Sequence, residues 1–124
     1  MGGSFRDLSV YKKAFALAME IFEITKKNPP EEKYELTDQL RRSSRSVCRG
    51  IGEGYRKRQY PKHFSSKMSD ADMENTETQV SLDFAWACKY ISQEENKELR
   101  NKSEEVGRML NHMIENPEKY NPKH

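Results

Sequence analysis

Apolar residues recur with a helical period along most of the chain and divide it into four segments. In the first, Val10, Ala14, Leu17, Ile21 and Ile24 repeat at spacings of four and three, with Tyr11, Phe15, Ala18 and Phe22 as a second stripe beside them. Lys12, Lys13, Glu20, Glu23, Lys26 and Lys27 fill the remaining side. This predicts an amphipathic helix with a wide apolar face over about 8–28, with Asp7 as candidate N-cap. Asn28-Pro29-Pro30 ends it, because proline lacks an N–H and restricts the residue before it.

The second segment, about 37–54, is the most sharply divided. At about 100° per residue, Leu36, Leu40, Val47 and Ile51 fall within about 60° of one another, and Arg41, Arg42, Arg45 and Arg49 fall opposite. Gly50, Gly52 and Gly54 follow at alternate positions. Glycine weakens a helix interior by about 1 kcal/mol relative to alanine, so they mark a frayed end or a close backbone approach.

Tyr60-Pro61 opens the third segment, about 61–91, since proline suits a helix's first turn. Phe64, Met68, Ala71, Thr78, Leu82 and Ala85 form one stripe; Met73, Val80, Phe84, Ala87 and Ile91 form another, on a different side of the helix. A helix apolar on two sides is buried on two sides. The first stripe is expected to meet the core and the second, with Trp86 and Tyr90 near its end, another subunit. The alternative is that long side chains merely widen one core face.

Ser92 to Glu95 reads as a capping box for a fourth helix over about 93–115, with Leu99, Val106, Leu110 and Met113 inward. Asn116-Pro117 ends it, leaving 116–124 as a loose polar tail. Met1-Gly2-Gly3-Ser4, either a cloning remnant or a disordered start, is set aside. No stretch carries a strand or hairpin signal. The expectation is an all-α, antiparallel up-down four-helix bundle in one domain spanning 1–124.

Composition sharpens this picture. The chain is 34% apolar and 34% charged, a lean core that oligomerisation would help. Net charge is only +2, but charge is segregated: nine Lys or Arg against the single acid Glu53 from Arg41 to Lys67, then five acids (Asp70, Asp72, Glu74, Glu77, Asp83) and no Lys or Arg from Met68 to Phe84. Cys48 and Cys88, far apart and both within predicted helices, form neither a disulfide framework nor a zinc motif and are expected to be buried and reduced. With no leader and no long apolar run, a cytoplasmic protein with no membrane contact is expected.

Little points to catalysis. His63, His112 and His124 have no neighbouring nucleophile or carboxylate at triad spacing. Asp70, Glu74 and Glu77 share a helix face, yet a dimetal bundle site needs Glu-x-x-His pairs, and none is present. No phosphate-loop motif occurs. No cofactor or metal is therefore expected, and no enzyme.

The basic stripe is the candidate site. Arginine's planar fork suits phosphate, and Arg41, Arg42, Arg45 and Arg49, continued by Arg56, Lys57 and Arg58, would track a nucleic-acid backbone, RNA or DNA, largely without reading sequence. Tyr55 and Tyr60 interleave with the second basic run as surfaces for stacking unpaired bases. The alternatives are a solvated face, or ion pairs within the bundle to Asp70, Asp72 and Glu74. A protein-binding adaptor using Phe84, Trp86 and Tyr90 is the rival function.

The ordered segments Phe5-Arg6-Asp7-Leu8-x-Val10-Tyr11-Lys12-Lys13-Ala14, Tyr34-x-Leu36-Thr37-x-Gln39-Leu40-Arg41-Arg42-Ser43, Ile51-x-Glu53-Gly54-Tyr55, Glu77-Thr78-Gln79 and Tyr90-Ile91 resemble those of the four-helix bundle proteins encoded in 23S rRNA intervening sequences. The resemblance runs from about Phe5 to Ile114. It implies an up-down bundle assembled as a homopentameric ring, with Arg41 and Arg42 as family arginines. It also implies similarity to the accessory protein of diversity-generating retroelements, and hence a reverse transcriptase or another nucleoprotein as possible partner. The chain departs from the family pattern at Gly50-Ile51-Gly52-Glu53-Gly54, usually Asn-Ile-Ala-Glu-Gly, at Ala71-Asp72-Met73-Glu74-Asn75, usually Gly-Ser-Leu-x-Glu, and at Lys89, where glycine is common.

Overall fold

The structure is a computed structural model describing residues 3–122. Four helices make up nearly all of it: α1 (Ser9–Thr25), α2 (Leu36–Arg56), α3 (Pro61–Ala87) and α4 (Gln93–Glu115). Short 3-10 turns at Phe5–Asp7, Pro30–Glu32 and Pro117–Tyr120 flank them, and no strand occurs among the described residues. Each helix packs on two others: α2 against α1 and α3, α4 against α3 and α1. α1 and α3 therefore occupy opposite corners of the bundle.

Apart from Ile24 at the end of α1, which is half-buried, the expected inner stripes are buried, since burial of apolar surface drives helix association. Val10, Ala14, Leu17 and Ile21 of α1, Leu40, Val47 and Ile51 of α2, all six inner-stripe residues of α3, and Leu99, Val106, Leu110 and Met113 of α4 are each under a tenth exposed. They form two clusters, one around Phe64, Met68 and Leu110 and one around Ile21, Leu40 and Leu82. A polar layer separates them. Ser43 and Thr78 hydroxyls pair at 2.8 Å; Asn75 Nδ2 donates to the Ser103 carbonyl at 2.8 Å, and Ser103 Oγ donates to Asn75 Oδ1 at 2.8 Å. Being satisfied, these groups cost little to bury, and each pairing holds only when the helices are in one axial register.

Local chemistry sets the helix ends. Ser92 caps α4 by accepting from the Glu95 N–H while Glu95 accepts from the Ser92 N–H, the expected capping box. That N–H, and beyond it Lys27, hold the Glu95 carboxyl below its ordinary range. Asp7 does not cap α1: it lies in the preceding 3-10 turn, which Ser4 caps, so Ser4 is an ordered cap rather than part of a disordered start. Met1 and Gly2 lie outside the described residues. α1 stops at Thr25, whose hydroxyl bonds back to the Ile21 carbonyl at 2.7 Å.

α3 ends at Ala87, sooner than its apolar pattern predicts. The Tyr90 N–H bonds the Ala85 carbonyl and the Lys89 N–H bonds the Trp86 carbonyl, both at 2.9 Å. This is the Schellman arrangement, which needs a left-handed residue just past the helix. Lys89 supplies it at φ 66°, a conformation that favours glycine. The chain then turns inward, so Ile91 is not on an outer stripe of α3: it is buried at 5% exposure beside Leu17, Ile21 and Leu99. The same early stop leaves Cys88 exposed rather than buried. Cys48 is buried, and loss of hydration pushes its thiol up to about 11. Nor is the tail loose up to Tyr120, whose ring stacks on Phe64 with centroids 5.4 Å apart.

Candidate functional site

α2 continues unbroken through its three glycines to Arg56. Gly50 and Gly54 mark close approach rather than fraying, whereas Gly52 faces the Phe5 ring with room for a Cβ. A Cβ at Gly50 would stand 3.0 Å from the Ala71 Cβ, and one at Gly54 2.8 Å from the end of Met68. α2 and α3 can therefore pack closely along this stretch, which steadies the C-terminal half of α2 and the basic side chains it carries.

The structure places the seven predicted basic residues in three situations. Arg42, Arg45, Arg49 and Arg56 are exposed along the outer face of α2, and Lys57 is exposed just past its end. Arg41 is half-buried and engaged: Nε donates to Thr25 Oγ1 at 2.9 Å, Nη2 donates to the Phe22 carbonyl at 3.3 Å, and the guanidinium lies 4.6 Å from the Phe22 ring centre. It closes the C-terminal end of α1, where a cation also complements the helix dipole. Arg58 folds back, donating to the Tyr55 carbonyl at 2.9 Å with its guanidinium 4.0 Å over the Tyr55 ring. Tyr55 is thus covered as a stacking platform, whereas Tyr60 is 54% exposed.

Ion pairs to the acids of α3 are not made. Among the described residues, the ion pairs all use lysine, as in Lys13–Glu105, Lys27–Glu95, Lys67–Glu53 and Lys102–Glu20. Glu74, on the α2 side of α3, keeps a buried Oε1 with no hydrogen-bond partner. Arg42, Arg45, Arg49 and Arg56 face outward with no carboxylate of the described residues within ion-pair distance; Glu53, which shares a cleft with Arg49 and Arg56, pairs with Lys67 instead, so the row keeps a net positive field. Arg42 also borders a cleft between α2 and α3 lined by Gln39, Thr76, Glu77 and Val80.

The second stripe of α3 is uncovered. Met73, Val80 and Phe84 are 63%, 50% and 59% exposed, and Ala87 is exposed beside them. Asp70 and Glu77 are exposed on the same helix. Periodicity alone missed a similar strip on α1. The residues beside its core stripe read as one wide buried face, yet Phe15 and Met19 are 50% and 46% exposed and Tyr11 and Phe22 are half-buried. The signal was present in the width of the apolar arc, more than one bundle interior can cover.

Among the described residues, no group of three His, Cys, Asp or Glu side chains is placed to hold a metal ion, and no helix is long and apolar enough to cross a membrane. The Asp70, Glu74 and Glu77 carboxylates form no such group.

Comparison with known proteins agrees with the sequence resemblance. The family model described as 23S rRNA-intervening sequence protein matches residues 6–112. The chain is also similar to a solved structure from Bacteroides thetaiotaomicron, a protein of unknown function from the S23 ribosomal protein family. The two share 27% identity, with 85% of this chain and 97% of that chain covered and a TM-score of 0.76. Comparison with curated proteins finds no match.

Proposed function

Because the chain belongs to the 23S rRNA-intervening sequence protein family, we propose that it is a non-enzymatic, oligomeric binding module whose α2 outer face engages the phosphate backbone of nucleic acid, free or within a nucleoprotein such as a reverse transcriptase complex. The observation that carries this reading is the row Arg42, Arg45, Arg49 and Arg56, exposed and without ion-pair partners among the described residues, on a helix held by close packing. Arg41 and Arg58 are spent on the bundle and serve it only indirectly. The bundle is read as antiparallel and up-down, supported by Ser65 near the start of α3 bonding the Ile114 carbonyl near the end of α4. It is read as a ring-like homo-oligomer, a pentamer by the family resemblance, supported by the uncovered strip of α3. Repetition of the arginine row around a ring would add weak contacts together.

The test is fluorescence anisotropy of labelled single-stranded and duplex RNA and DNA at two salt concentrations. Each phosphate neutralised lowers log K by about 0.7 to 0.9 per decade of salt, so a slope near −3 is expected. Arg42→Glu/Arg49→Glu/Arg56→Glu should lose at least about 100-fold in affinity with unchanged helicity. Flat titrations at low salt overturn the reading and favour a protein adaptor contacting its partner through Phe84 and Trp86.

A further inference from the structure

We infer that the outer side of α3 docks head to tail onto the shoulder between α1 and α2 of a second copy of this chain. The inference rests on the oligomeric reading above and names the surface that receives the α3 strip.

The described residues carry two exposed apolar strips along helices. One is Met73, Val80 and Phe84 on α3; the other is Phe15 and Met19 on α1, extended by the half-buried rings of Tyr11 and Phe22. Tyr11 to Phe22 and Met73 to Phe84 each span eleven residue steps, about 16 Å of helix. Apolar strips of this kind on a small soluble domain mark surfaces that become covered. Because α1 and α3 sit at opposite corners of the bundle, one protomer cannot bring its own two strips together. Two copies can, and each then leaves one strip free for the next.

Charge decides the pairing. The α3 strip is bordered by exposed Asp70 and Glu77, with no Lys or Arg from Met68 to Phe84. The α1 strip is bordered by exposed Lys12, by Lys26, which pairs with the neighbouring Glu23 at 3.2 Å, and by Arg45, whose guanidinium lies 5.7 Å from the Phe22 ring centre. An α3 strip facing its own copy sets carboxylates against carboxylates; facing the α1–α2 shoulder, it sets Asp70 and Glu77 against Arg45 and Lys12. The second arrangement is complementary in both polarity and sign. It is a heterologous contact, which forms closed rings when its rotation permits. It assigns Arg45 to the neighbouring subunit and leaves Arg42, Arg49 and Arg56 facing outward.

The experiment is molar mass by light scattering on the full chain, with far-UV circular dichroism as the folding control. Phe15 and Phe84 are both about half exposed or more, so Phe15→Lys and Phe84→Lys should fold. Each variant alone is expected to be monomeric. Mixed in equal amounts, they should form a one-to-one dimer, because each keeps the surface that the other has lost. Arg45→Glu should weaken assembly at least about tenfold, and Arg45→Glu/Glu77→Arg in one chain should restore it. If Phe84→Lys is monomeric while Phe15→Lys assembles like the wild type, α3 meets itself; the inference falls and the oligomeric reading stands. A mixture that stays monomeric also overturns the inference. A wild-type chain that is monomeric throughout overturns both.

Discussion

α2 and α3 lie side by side, and their outer sides are opposites. That of α2 is basic; that of α3 is apolar with an acidic border. Neither has an ion-pair partner or a covering helix among the described residues, but the consequences differ. An exposed guanidinium is well solvated and can remain so at no cost. An exposed phenylalanine holds unfavourable contact with water, at about 25 cal/mol per Å² of apolar surface. The α3 strip is therefore the stronger evidence for a covering surface, whereas the α2 row is evidence of ligand class only. The rotation of α3 matters too: Leu82 is fully buried and Phe84, two residues on, is 59% exposed.

The sharpest way to break this comparison is across α3 itself. Leu82→Ala should cost the protomer about 2–5 kcal/mol, since it removes atoms from a close-packed core. Phe84→Ala should cost the dilute protomer under about 0.5 kcal/mol. Chemical denaturation at low protein concentration separates the two, and equal losses would mean that the outer side of α3 belongs to the fold.

The row on α2 divides in the same way, with a smaller effect. Arg41→Ala loses hydrogen bonds at the end of α1 and its contact with the Phe22 ring. It should cost about 1–2 kcal/mol. Arg49→Ala should be neutral to stability within about 0.5 kcal/mol and weaken nucleic-acid binding instead. Thermal melts of the two variants beside anisotropy titrations check the split.

The smallest effect lies where α3 ends. Lys89 holds a left-handed backbone at φ 66°, which costs an ordinary L-residue about 1–2 kcal/mol. Lys89→Gly should raise stability by up to about 1 kcal/mol, the gain reduced by glycine's greater freedom in the unfolded chain. An unchanged or lowered melting temperature would show that the lysine side chain contributes there.

Much of this molecule is legible as periodicity. The inner stripes of all four helices follow from spacings of three and four, because the same geometry that repeats a side chain every turn aligns it with the core. The capping box at Ser92 is equally local, since both its partners lie within four residues. Segregation of arginine from acid is a property of composition along the chain, and so is the wide apolar arc of α1.

Only the tertiary structure decided which apolar residues the core reaches. Ile91 shares the helical phase of Met73 and Phe84, yet the left-handed turn at Lys89 redirects it inward and exposes Cys88. Arg41 shares the phase of the other arginines, yet α1 ends beside it and offers a carbonyl and a hydroxyl. Phe15 reads as core on α1, but a square of four helices buries only a limited arc of each, and the neighbours of α1 leave it uncovered. Period and composition set which faces exist, because those are properties of neighbours in sequence. Which face meets core, solvent or another surface depends on where helices stop and how they pack, and those are contacts between residues distant in sequence.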